Sequence, residues 1–100
     1  MADSTYGSGD FVYELVPDWA KLPDGWEFTQ VAAVAVDKDD NVYAFNRSEH
    51  PIIVFDREGN FIKSFGEGDF PNAHGMCFAN DGTLWLADNG DHTVKRYTTD

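Results

Sequence analysis

A single cysteine, Cys77, in 100 residues rules out an intrachain disulfide and any Cys-x-x-Cys metal or redox motif. Basic residues are scarce too: 7 Lys and Arg stand against 18 Asp and Glu, for a formal net charge of -11. So acidic a chain repels phosphate backbones and anionic lipid, and its few cations are scattered, so neither a nucleic-acid nor a membrane partner is expected. No run approaches the roughly 20 apolar residues that cross a bilayer. The first residues lack the basic and apolar regions of a signal peptide, so a cytoplasmic setting is the expectation. Helix is nearly excluded as well, because the only candidate turn, between Pro17 and Pro23, carries two prolines. Apolar residues, in contrast, are plentiful. They make up 42% of the chain, with 15% aromatic, yet a domain this short buries only about two thirds of its unfolded surface. Some of that apolar surface is expected to await a partner.

The chain repeats itself. A shift of 42 positions sets Phe28 on Phe70, Val34 on Met76, Val36 on Phe78, Tyr43 on Trp85, His50 on His92 and Phe55 on Tyr97 without a gap. Short β-type runs separated by turn residues predict strands at Ala33 to Asp37, Val42 to Asn46, Ile52 to Asp56 and Phe61 to Phe65. The second unit offers Gly75 to Ala79, Leu84 to Asp88 and Val94 to Thr98. Lys38 to Asn41, Arg57 to Asn60 and Asn80 to Gly82 supply the tight turns. Four strands in a repeat of about 40 to 45 residues is the pattern of a β-propeller blade. The expected fold is therefore all-β, with two blades of four antiparallel strands. Residues 33–66 form blade 1, and 67–100 form a blade 2 that lacks its fourth strand. Residues 1–10 are expected to be loose and 17–32 to be a connection anchored by Trp19 and Trp26, with a lid or rim over a pocket as its functional alternative. The β-type run at 11–16 is expected to close the last blade, one contributed by a neighbouring chain. Two blades cannot close a ring, but identical copies can, since heterologous interfaces close whenever the rotation divides the circle.

Gly82 to Val94, with Asp91-His92-Thr93 at its centre, resembles the NHL repeat. Val34-Ala35-Val36-Asp37, Phe45 to His50 and Ala73-His74-Gly75-Met76, taken in order, are similar to the first blades of the peptidyl-hydroxyglycine amidating lyases and their bacterial NHL relatives. That resemblance implies a six-bladed propeller with a zinc on its axis, held by three histidines from alternate blades, of which His74 would be one. It also implies that Arg47 engages a substrate carboxylate, and that the carbonyls of Val34 and Met76 hold a structural calcium. The family's other zinc histidines and its catalytic tyrosine match no position in this sequence. Three copies of a two-blade chain would nonetheless place three copies of His74 around one axis, so the leading expectation is a self-assembling homotrimer with zinc and calcium as its cofactors. A zinc-dependent lyase breaking a C–N bond, and a non-catalytic NHL scaffold for peptides or small molecules, stand as alternatives.

The same residues have plainer readings. His74 could cap a turn before the first strand of blade 2, and Arg47 could be a solvated loop cation. His50 and His92 hold matched positions, which suggests a shared structural job. Asp37, Asp39, Asp81 and Asp88 lack the spacing of a calcium loop and read as turn residues. Tyr43, Phe55, Trp85 and Tyr97 are expected in an inter-blade core, and Cys77 as a small buried hydrophobe.

Overall fold

The structure, a computed structural model, describes residues 5–99. It is all-β, with no helix among the described residues. Nine strands form three antiparallel sheets: β1 (Thr5–Ser8) and β2 (Phe11–Glu14); β3 (Val31–Val36), β4 (Val42–Asn46), β5 (Ile52–Phe55) and β6 (Phe61–Phe65); β7 (Ala73–Phe78), β8 (Leu84–Asp88) and β9 (Thr93–Tyr97). The second and third sheets are meanders of four and three strands, as two propeller blades would be.

The turns form because their side chains complete them. Asp37 Oδ1 accepts the backbone N–H groups of Asp39 and Asn41, while Asn41 Nδ2 donates to Oδ2. Asp56 makes the same three bonds with Glu58 and Asn60. In the second unit Ala79 stands where Asp37 would fall, and Asp81 takes over by accepting from Thr83. These bonds hold the Asp56 and Asp81 carboxyls below the usual carboxylate range, through Asn60 for the first and Thr83 for the second.

Strands β4 and β5 are buried on both faces, which is why Tyr43 to Asn46 and Ile52 to Phe55 show no polar alternation. Tyr43, Phe45, Ile52 and Val54 face blade 2 and meet Leu84, Leu86 and Ala73. The seam is aromatic: Phe45 meets Phe70 edge-on at 4.9 Å and Tyr43 meets Phe78 at 4.9 Å. Ala44, Ile53 and Phe55 face the other way, under Trp19, Leu22, Trp26 and Phe28. The expected connection 17–32 is thus a cover on blade 1 from Trp19 to Phe28, while its last two residues, Val31 and Ala32, belong to β3 instead. Gly59 permits it to lie close, since a Cβ there would meet the Trp19 carbonyl oxygen at 1.9 Å.

Three expectations need revision. The segment expected to be loose through Asp10 contains β1, while its residues 1–4 lie outside the described residues, as does Asp100. Strand β2 pairs with β1 in a hairpin that Gly9, at positive φ, turns, while Gly7 within β1 leaves room for the Phe11 carbonyl. Trp85 and Cys77 are exposed, because they lie on the face of blade 2 that points away from blade 1.

Candidate functional site

The first strand of each blade opens with the same irregularity. The register slips between Val31 and Ala33 in β3 and between Ala73 and Gly75 in β7, positions that correspond under the 42-residue shift. His74 is the extra residue of the second bulge, so it lies within β7 and not in a loop before it. A bulge bends the strand and re-aims the side chain it carries, and His74 is exposed. The matching residue in blade 1 is Ala32, so only one of the two blades presents an imidazole here.

Two buried polar residues hold the loops beside this bulge. Asn46 donates from Nδ2 to the carbonyls of His50 and Pro51 and accepts the Ser48 N–H. Its counterpart Asp88 accepts the N–H groups of Gly90 and Asp91 on one oxygen and that of Asn72 on the other. Arg47, which follows Asn46, reaches across the seam. Its Nε donates to the Ala73 carbonyl at 2.9 Å, its Nη1 to Gln30 Oε1 at 3.3 Å, and its backbone N–H to the Gln30 carbonyl. The guanidinium is therefore fastened to the residue next to His74, at one end of the seam. Its remaining N–H groups make no hydrogen bond among the described residues, which suits it to a carboxylate.

Val34 and Met76 occupy equivalent places on β3 and β7, the two strands that run side by side across the seam. Val34 pairs with Ala44 and is exposed, whereas Met76 pairs with Leu86 and packs against the core. Among the described residues no group of three His, Cys, Asp or Glu could hold a metal within one chain.

A cleft of about 260 Å³ opens beside Arg47, walled by Trp26, Glu27, Glu49 and His50. Trp26 stacks flat on the His50 ring at 3.5 Å, and His50 Nδ1 lies 3.2 Å from Glu67 Oε2, which also accepts from Ser64. Burial raises the Glu67 carboxyl, but the Ser64 and His50 bonds outweigh it and hold the group below its usual range. Sequence reasoning missed this stack because Trp26 has no counterpart in the second unit. For the same reason His50 and His92 do not share a job, as His92 is exposed and sits at φ 60 in its turn. Asp37, Asp81 and Asp88 are turn and loop clamps, as their types suggested.

The repeat, the bulge and the blade-like sheets correspond to a known pattern. Residues 70–97 match the NHL repeat. The matched NHL segment takes in β7, β8 and β9, which gives the chain its resemblance to the NHL-repeat family. The chain is also 30% identical over 93 residues to the probable peptidyl-alpha-hydroxyglycine alpha-amidating lyase of Caenorhabditis elegans, a similarity covering 70% of this chain and 27% of that protein. This NHL-type chain thus spans about a quarter of the length of that curated relative.

Proposed function

We propose that this chain is a two-blade NHL propeller unit that assembles as a homotrimer into a six-bladed ring. In that ring Arg47 and His74 from each copy line one site for a metal and a carboxylate-bearing substrate. The observation that carries the reading is the Arg47 Nε bond to the Ala73 carbonyl, which holds a cation beside the bulged His74. His74 fits a metal in its exposure and in the absence of any hydrogen bond to its ring among the described residues. One chain supplies one such ligand, and three chains would supply three. A three-histidine zinc would supply Lewis acidity at the axis. The carbonyls of Val34 and Met76, on the two adjacent first strands, are the proposed holders of a calcium.

Arg47 orients the substrate through paired N–H donors, with the Ala73 and Gln30 bonds keeping its plane from rotating. The substrate class is a peptidyl-hydroxyglycine, the compound named for the relative, whose terminal carboxylate suits Arg47. No residue described here stands out as a general base, so the reaction is proposed at the level of C–N cleavage alone. The test is metal analysis after zinc loading and dialysis. The reading expects one zinc per three chains, lost in His74→Ala with the fold retained, and zinc retained by that variant would overturn it.

A further inference from the structure

The two sides of the chain that do not face each other are complementary, and the internal repeat says how. Within the chain, Tyr43, Phe45 and Ile52 of blade 1 receive Phe70, Met76 and Phe78 of blade 2. Under the 42-residue shift the receiving residues become Trp85, Ala87 and Val94, and the inserting ones become Phe28, Val34 and Val36. Both derived sets exist, and most of each is exposed, with Phe28 half-buried against Phe55 and Ala87 half-buried beneath Trp85. Trp85 is 40% and Val94 65% exposed in the receiving set, Val34 61% and Val36 55% in the inserting one.

The substitutions balance in size. Where the internal seam sets Tyr43 against Phe78, the derived seam sets the larger Trp85 against the smaller Val36. Where Phe70 abuts Phe45, Phe28 would abut Ala87, and the missing ring leaves an apolar hollow of about 190 Å³ lined by Gly75, Cys77, Trp85, Ala87 and Val94. Phe28 is already held for this purpose: it leans on Phe55 as Phe70 leans on Tyr97, the corresponding pair. A packed interior tolerates such compensated exchanges far better than uncompensated ones.

We infer that the open face of blade 2 docks onto blade 1 of a second copy, with Phe28 filling the hollow over Ala87 and Val36 meeting Trp85. The contact is heterologous and repeats the internal seam, so successive copies turn in the same sense, as a closed ring requires. The inference rests on the ring proposed above and names its surface. It also buries Cys77, whose thiol lies in the hollow and is exposed in the single chain.

The experiment is light scattering on the intact protein, together with maleimide labelling of Cys77, for wild type, Trp85→Glu, Val36→Glu and the double variant Trp85→Glu/Val36→Lys. Wild type is expected to be trimeric with Cys77 protected, and each single variant to fall to monomer with labelling at least about tenfold faster. The double variant is expected to regain the trimer through the new charge pair. Circular dichroism identifies any variant that fails to fold, and because Trp85 and Val36 lie outside the internal core, at least one single variant is expected to remain folded. A trimer that survives Trp85→Glu and Val36→Glu with Cys77 labelled freely overturns this surface and leaves the ring standing. A monomeric wild type overturns both.

Discussion

Phe45 measures the seam. Its ring is fully buried, contacts the edge of Phe70 at 4.9 Å, and lies among Tyr43, Ile52 and Leu86 at the centre of the larger core. Truncation to alanine removes the ring and leaves a cavity between two sheets that cannot collapse without moving both, a loss of about 3–5 kcal/mol. A chain of this size has about 5–15 kcal/mol in total, so roughly a fifth or more of its stability is at stake. Urea unfolding of wild type and Phe45→Ala, followed by intrinsic fluorescence, reads the change in midpoint. If Phe45→Ala does not fold, Ile52→Val in the same core gives a milder version, with an expected loss of about 0.5–1.5 kcal/mol. A loss under about 1 kcal/mol in Phe45→Ala would mean that the blades do not pack through these residues, and the positioning of Arg47 and His74 would go with it.

Other outcomes follow from the same geometry. Gly59→Ala is expected to destabilise well beyond the roughly 1–2 kcal/mol of its positive φ, because the Cβ meets the Trp19 carbonyl, while Gly82→Ala, with open space around it, should cost only that φ penalty; thermal melts compare the two. Asp88→Ala leaves the N–H groups of Asn72, Gly90 and Asp91 without their acceptor and should cost about 2–3 kcal/mol, with faster hydrogen exchange at those three amides. The carboxyls of Asp56, Asp81 and Asp91 are lowered on folding, so the stability they give is complete above the unfolded value near 3.9 and is lost as pH falls towards their folded values. Unfolding midpoints should therefore be flat from about pH 7 to 5 and fall below about pH 4. Arg47→Ala should weaken carboxylate binding while leaving His74-dependent zinc uptake in place, as calorimetry with a hydroxyglycine analogue would register.

The strands were legible because turn chemistry brackets them: Asp37 with Asn41 and Asp56 with Asn60 mark hairpins that any reading of local sequence finds. The 42-residue shift carried further, since it aligned Phe28 with Phe70 and Phe55 with Tyr97, residues that the structure shows packed as the corresponding pairs Phe28–Phe55 and Phe70–Tyr97. What local sequence does not encode is which face of a repeated strand has a neighbour. Tyr43 and Trp85 look alike in sequence, yet one is buried and the other is not, because blade 2 packs on the face of blade 1 that carries Tyr43, while none of the described residues packs on the face that carries Trp85. Cys77 is exposed for that reason. The Arg47 contact with Ala73 joins residues 26 positions apart, and the Trp26 stack on His50 joins residues 24 apart. Neither has a local signal, and Trp26 falls in the stretch without a counterpart. The histidine itself was found by resemblance, and the bulge that aims it became visible only in the register of β7 with β8.

Native mass spectrometry of the intact protein during a zinc titration tests the central claim most directly, because it reads copy number and bound metal together. The account predicts one species at three times the 11.2 kDa chain mass that takes up a single zinc. A monomer or dimer, or a trimer that takes up no zinc at the axis, would contradict it.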